Sequence, residues 1–478
     1  MKNEPLKLKW HSLYGQMLRD RMLTEAWKKV KENNGSGGID KETIESFDKD
    51  SEAKILGILE ELKTKTYRPS PVRRVYIPKK DGKKRPLGIP VIKDRIVQQT
   101  LVNILNPKFE DGIFHKASCG YRQGYGMERV LQLILWNIEK GRRFVYDCDI
   151  KGFFDNIPHK NLMRILNKYI ADGTVLDMIW GWLKAGYMEE GKYLDTISGT
   201  PQGGVISPLL ANIYLNELDW ALAEEGIPFV RYADDFLLFA ETNEEIERAA
   251  SVARKVIEEL GLEVAMNKTK IVDFNKEDFS FVGFDFKHWR ENKKGEKYFM
   301  VSPTMKSLKD FKKKIKDKTV RNLTLGKEEW VTRVNPIIRG KVNYYLNIHK
   351  AVQLNLARKQ KSHCYIEGFS RDLHNIDSYV RQRLRMCMIH THPSVRKAYA
   401  MTTKWNIEFF CKIGLVPSSW YYYDKIYGYK IEQYVERQTK KNKEKYNKRK
   451  QKLESQGIKY YTEDRERKMA NAKRIALT

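Results

Sequence analysis

The chain has 478 residues, with 89 lysines and arginines against 61 acids for a formal net charge of +28; the length predicts two to four domains and the basic surplus a polyanionic partner, since phosphate contacts release counterions. Five cysteines, at 119, 148, 364, 387 and 411, are odd in number and not closely paired, which excludes a disulfide framework and fits a reducing cytoplasm; His390-Thr391-His392 lacks partners at zinc spacing. The first ten residues are charged without an apolar run, and nowhere do 18 apolar residues stand uninterrupted, so neither secretion nor a membrane span is expected.

Residues 8 to 33 have helical periodicity, with Leu13, Met17, Met22, Ala26, Trp27 and Val30 on one side, and the glycines of Gly35-Ser36-Gly37-Gly38 are expected to end that helix. A turn of this kind can cradle phosphate through its amides, and a plain turn has the same composition. Another helix is expected near 52 to 65. Residues 72 to 90 read as a hairpin about Asp81-Gly82 that carries Arg73, Arg74, Lys79, Lys80, Lys83, Lys84 and Arg85. Those charges suit a solvated loop or a grip on a triphosphate or a template backbone. Helices are predicted at 93 to 106 and 127 to 140.

The segment Phe144 to Asp155 is a short apolar strand ending in carboxylates. Two helices follow over 159 to 187, and Ser198 to Pro208, with its paired glycines Gly203-Gly204, opens a long helix through Leu222. The glycines can let the backbone approach a flat ligand closely, and a simple loop before a helix has the same composition. The most informative stretch is Arg231 to Phe239, where apolar residues flank Ala233-Asp234-Asp235 and predict two buried strands joined by a tight turn. Adjacent carboxylates beside an apolar sheet stay ionised only where cations neutralise them. Asp149, Asp234 and Asp235, if their strands are neighbours, suit a pair of divalent metals about 4 Å apart, the arrangement used for in-line nucleotidyl transfer. A helix at 244 to 260 and strands around 270 to 274 and 281 to 286 complete an α+β layered domain.

After about residue 303 the composition changes. Lys306 to Lys318, Val331 to Leu346 and Tyr379 to His390, with Arg381, Arg383 and Arg385, read as basic helices, so 304 to 425 is expected to be mostly helical and to face nucleic acid. From Lys440 to Lys452 eight basic residues stand against Glu444 alone, a basic helical tail read as a further nucleic-acid contact.

Gly35 to Asp40, Arg85-Pro86-Leu87-Gly88-Ile89-Pro90, Asp149 to Asp155, Thr200-Pro201-Gln202-Gly203-Gly204, Tyr232-Ala233-Asp234-Asp235 and Phe281-Val282-Gly283-Phe284 follow one another over about residues 20 to 425. As an ordered set they resemble the reverse transcriptases encoded by bacterial group II introns. The resemblance implies a right-hand polymerase: an N-terminal extension and the start of the fingers over 1–66, fingers and palm over 67–303, an α-helical thumb and maturase region over 304–425, and a basic tail over 426–478. Asp149, Asp234 and Asp235, with the Ile150 backbone carbonyl, match the ligands of two Mg²⁺, Mn²⁺ being the alternative. Lys79 and Arg85 match residues on the incoming triphosphate, and Phe154 the aromatic gate against a ribose 2′-hydroxyl. Gln202, Gly203 and Lys268 complete the implied dNTP site.

Arg339-Gly340, Asn343-Tyr344-Tyr345 and Arg383 to Cys387 look like thumb and maturase signatures. With the basic residues read above, the expected RNA and DNA contacts are Arg73, Arg74, Arg122, Lys312, Arg339, Lys341, Arg383, Arg385, Lys440, Lys448 and Arg449. Implied partners are an intron RNA held as a ribonucleoprotein, an RNA template with its DNA primer, target DNA and dNTPs, with no membrane, in the nucleoid-associated cytoplasm of a bacterium; a homodimer is left open. Ala265, Gln123 and Lys341 depart from the residues usual at their positions. No cysteine and histidine pattern of an HNH endonuclease follows Cys411, which implies a primer supplied otherwise, at a replication fork or a nicked target. Two alternatives remain: a domesticated enzyme of this type serving repair or antiphage defence, and an RNA-binding splicing factor with secondary polymerase activity.

Overall fold

A computed structural model describes residues 9–78, 84–196, 198–200, 203–357, 362–389 and 398–456. They fall into two compact units, one within Met1–Phe279, Lys287–Phe299 and Lys350–Cys364, the other within Ser280–Phe286, Met300–His349 and Tyr365–Thr478.

The first unit is built on a five-stranded sheet in the order Ser118–Cys119, Phe229–Tyr232, Asp235–Ala240, Phe144–Cys148, Lys270–Asp273. Only the Ser118–Cys119 pairing is parallel. Phe236, Leu237, Leu238 and Phe239 are all fully buried, so the central strand is covered on both faces and reads as a continuous apolar run. The helix Asn243–Glu259 packs on that strand, and a reciprocal capping box between Thr242 and Glu245 fixes its start.

The predicted hairpin is present as Val72–Pro78 paired antiparallel with Lys84–Ile89 in the register Pro78↔Lys84. Its turn, with Lys79 and Asp81-Gly82, lies outside the described residues. These strands belong to a second sheet, completed by Tyr187–Glu189 and Lys192–Leu194, a ribbon that helical periodicity to residue 187 did not announce. The first predicted helix is two, Leu13–Met17 and Asp20–Asn33, separated where Arg19 takes extended backbone (ψ 123°). It is stopped by Asn34 in the left-handed region (φ 43°), one residue before the glycines expected to end it.

The second unit is mostly helical, as expected, with Met305–Lys318, Phe369–Met388, Ala398–Lys404, Ile407–Lys412, Ser418–Tyr427 and Ile431–Ser455. Trp330, Val334, Ile338, Val342 and Tyr345, spaced three or four apart on one helix, are all fully buried and form its apolar stripe. The buried Asp377 carboxylate accepts from the amides of Ser418 (Oδ1) and Ser419 (Oδ2, 3.1 Å), which satisfies the start of Ser418–Tyr427. All five cysteines are free. Among the described residues no helix is long and apolar enough to cross a membrane.

Candidate active site

The Phe229–Tyr232 and Asp235–Ala240 strands pair as far as Tyr232↔Asp235, leaving Ala233 and Asp234 as a two-residue turn. Ala233 sits in the left-handed region (φ 58°), a position that favours glycine. Two hydrogen bonds hold it: its amide donates to the Cys119 carbonyl at 3.1 Å, and Arg231 Nη1 donates to its carbonyl at 2.9 Å.

Arg231 is fully buried and every arm of its guanidinium is engaged. Nε and Nη2 donate to the two oxygens of Asp219, Nη1 also reaches Asn212 Oδ1 at 3.0 Å, and Nη2 also meets Ser118 Oγ. The turn is therefore tied to the helix Ser207–Glu224 and to the Ser118–Cys119 strand through one side chain. The expectations from sequence gave Arg231, Asp219 and Asn212 no role. A signal was present, since Asn212, Asn216 and Asp219 mark one buried polar stripe on an otherwise apolar helix.

The two acidic segments are neighbours: Phe144–Cys148 runs antiparallel to Asp235–Ala240 with Cys148 opposite Phe236, which brings Asp149 to the same end of the sheet as Asp234 and Asp235. Asp149 is held by its carbonyl, which accepts from the Ala265 amide at 2.8 Å, and Ile150 bridges Val264. Burial, then the negative charges of Asp234, Asp149 and Asp147, push Asp235 up to about 7. Asp234 is raised by burial and by Asp149, against the opposing pull of Arg85 and Arg231. Asp147, a fourth acid on this strand, is pushed up to about 6, mainly by burial. The fold thus collects more negative charge at one end of the sheet than its own cations offset.

Among the described residues no three acid, histidine or cysteine side chains already converge as a ligand cage. Asp149 Oδ2 instead meets the Lys268 ammonium at 2.6 Å. Carboxylates with a neighbouring backbone carbonyl, Ile150, are the hard oxygen donors that Mg²⁺ or Mn²⁺ takes, so the donor set fits a divalent cation.

The other site expectations divide. Arg85 is exposed on Lys84–Ile89 and its charge reaches Asp234. Phe154 is half-buried, edge-on to Tyr121 at 6.5 Å; Tyr121, exposed and left-handed (φ 58°), was not anticipated. Lys79 and Gln202 lie outside the described residues. Gly203 (φ 111°) lies close against the hairpin: a Cβ there would stand 2.6 Å from the Gly88 carbonyl oxygen, so only glycine fits this position.

The arginines are corrected further. The Arg122 side chain is 1% exposed, ion-paired to Glu110 at 2.7 Å and bonded to the His115 and Ser118 carbonyls, so it packs the core and cannot meet a phosphate. Arg73 forks onto the Gly37 carbonyl at 3.0 and 2.7 Å, and Arg74 lies over the Tyr187 ring at 3.8 Å. In the second unit Arg383 donates to Thr319 and Arg385 to the Trp405 carbonyl at 3.0 and 2.7 Å. Arg73, Arg383 and Arg385 thus spend Nε and one Nη inside the protein, while the buried Nε of Arg74 meets no hydrogen-bond acceptor. Lys312 and Lys341 are half-buried beside tyrosines, while Arg339, Lys440 and Lys448 are exposed; the Arg449 side chain is outside the described residues.

Residues 77–286 match the family described as reverse transcriptase (RNA-dependent DNA polymerase). The group II intron-encoded protein LtrA of Lactococcus lactis subsp. cremoris is 40% identical over 249 residues, 51% of this chain and 41% of that protein. Protein YkfC of Escherichia coli K12 is 34% identical over 263 residues, 47% of this chain and 68% of its own length. A 91 kDa protein in the cob intron of Schizosaccharomyces pombe is 28% identical over 430 residues, covering 73% of this chain and 52% of that protein. The chain thus spans less than half the length of the Lactococcus protein.

Proposed function

Since the chain belongs to the reverse transcriptase family, in the branch encoded by group II introns, we propose that it is an RNA-directed DNA polymerase that also binds its intron RNA and promotes splicing and mobility. The observation that carries the polymerase reading is the meeting of Asp149, Asp234 and Asp235 at one end of the sheet, beside Lys268 and within reach of the Arg85 charge.

Members of this family work with divalent metals; here we assign two Mg²⁺, with Mn²⁺ as the alternative, to Asp149, Asp234, Asp235 and the Ile150 carbonyl. When bound, the cations would make the primer 3′-hydroxyl a better nucleophile and offset the charge that builds on the transferring phosphate. The protein's share is positioning and electrostatics. Arg85, with Lys79, meets the β- and γ-phosphates, so that pyrophosphate leaves toward cations as the hydroxyl attacks the α-phosphate. Lys268 leaves Asp149 for the nucleotide. The ring of Phe154 fills the space a 2′-hydroxyl would need, and Gln202 with Gly203 borders the nucleotide. RNA template with DNA primer, dNTPs, target DNA and the intron RNA are the proposed partners, in the nucleoid-associated cytoplasm of a bacterium.

The test pairs two measurements on the purified protein: extension of a DNA primer on an RNA template, and binding and splicing of RNA transcribed from the DNA flanking its gene. Extension that Asp149→Ala abolishes, with tight RNA binding that lowers the Mg²⁺ needed for splicing, is the expected result. Normal extension by Asp149→Ala overturns the site. Robust extension without specific binding or splicing of flanking RNA overturns the maturase half and favours a domesticated enzyme.

A further inference from the structure

In the second unit the helices Phe369–Met388, Ser418–Tyr427 and Ile431–Ser455 enclose an open cleft of about 680 Å³. That size falls within the ~300–1,000 Å³ range of small-ligand sites.

The back of the cleft is rigidly satisfied. The Tyr434 hydroxyl meets Ser419 Oγ at 2.9 Å and Asp377 Oδ2 at 3.2 Å, which fixes its ring as a wall. Trp420 Nε1 donates to the Tyr429 carbonyl at 2.8 Å and pins the connecting loop. His374 Nδ1 meets the Ser370 carbonyl at 2.6 Å and Nε2 meets Gln438 Nε2 at 2.9 Å, so both ring nitrogens are engaged and the ring is held in place.

The front is built for something else. Tyr423 and Tyr427, one helical turn apart, stack with 24° between their planes, and Tyr427 is 73% exposed. Arg437, Lys440 and Lys441 bring three positive charges to the lining against one acid, Glu444. Aromatic faces open to water beneath a cationic rim do not serve a core; they match a planar base carried on a phosphate backbone.

We propose that this cleft binds one unpaired nucleotide of single-stranded RNA, its base stacked against Tyr427 beside Tyr423 and its flanking phosphates met by Arg437, Lys440 and Lys441. Glu444 accepts from a base N–H or from the ribose 2′-hydroxyl, the group that separates RNA from DNA. The choice of RNA rests on the RNA-binding half of the proposed function; the stacking site itself rests on the cleft.

The full chain is irradiated with a single-stranded oligoribonucleotide carrying 5-iodouridine, which crosslinks to aromatic rings it stacks on, and the adducts are mapped by mass spectrometry. Adducts at Tyr423 or Tyr427 are expected, with Tyr427→Ala abolishing the Tyr427 adduct and weakening single-strand binding about tenfold at fixed salt. Tyr427→Phe should restore affinity, and a blunt RNA duplex should bind both variants alike. Adducts only elsewhere, or unchanged affinity in a Tyr427→Ala protein of unaltered melting temperature, would overturn the site. A 5-iododeoxyuridine DNA that crosslinks here when the RNA does not would overturn the assignment to RNA. Primer extension by the unaltered protein is measured in parallel, so failure of the polymerase reading and failure of the cleft are scored separately.

Discussion

Two ionic clusters lie within a few residues of each other along the first unit's hairpin, and they are solved in opposite ways. Arg231 is fully buried, yet Asp219, Asn212, Ser118 and the Ala233 carbonyl accept from all of its donors. Asp234 and Asp235, across the turn, are pushed toward the neutral form by burial and by neighbouring acids, Asp149 acting on both and Asp234 on Asp235. A buried ion whose every donor is met gives the turn a fixed place. A crowded set of carboxylates stores repulsion that only a cation relieves. The first cluster is built to hold still, the second to bind.

The sharpest way to break that contrast is to remove one charge from each side. Asp149→Ala should lower primer extension by about 10³-fold or more, while the melting temperature holds or rises, because like charges have been thinned. A fall in both would mean that Asp149 is structural. Asp219→Ala should do the reverse: it strands Arg231 as a buried uncompensated charge and should lower stability in urea by about 3–5 kcal/mol. An unchanged midpoint would show that Arg231 reaches water in solution.

Asp94 offers an intermediate case. It is buried and hydrogen-bonded by the Tyr67 hydroxyl at 2.7 Å and the Ser70 amide at 2.9 Å, and burial raises it from 3.8 to about 6. The fold therefore prefers the protonated acid, so between pH 3.8 and about 6 the unfolded chain ionises first and stability falls as pH rises. The stability of Asp94→Asn relative to the unaltered protein should improve across that window by up to about 2 kcal/mol. A difference that is flat with pH would place the ionised form in the fold. The smallest effect is expected at Lys268, whose side chain is 64% exposed. Lys268→Met should change stability by less than about 1 kcal/mol and act chiefly by raising the KM for dNTPs; a large stability loss would make it a strut.

Much of this was legible in the chain. Apolar runs on either side of Ala233-Asp234-Asp235 announced the hairpin, and the acids after Phe144 to Cys148 announced their counterpart, because strand composition and turn chemistry are local. That the two strands adjoin is a fact of topology, which the pairing of Cys148 with Phe236 supplies. The arginines were misread for a physical reason. A guanidinium has five donors and serves a carbonyl as readily as a phosphate, so a count of positive charge cannot separate Arg122, locked on Glu110, from Arg85, which stands open. The close approach of Gly203 to Gly88, remote in the chain, is likewise a fact of topology.

Asp377 bears on how such chains can be recombined. Its carboxylate joins the start of Ser418–Tyr427 to Tyr434 on the next helix, and Tyr434 is 3% exposed. A tail excised at residue 425 and grafted elsewhere would take Tyr434 from the acid that orients it and open the Asp377 pocket left behind. Chimaeras between relatives should therefore exchange Phe369–Met388, Ser418–Tyr427 and Ile431–Ser455 as one cassette, with the crossover placed before residue 369.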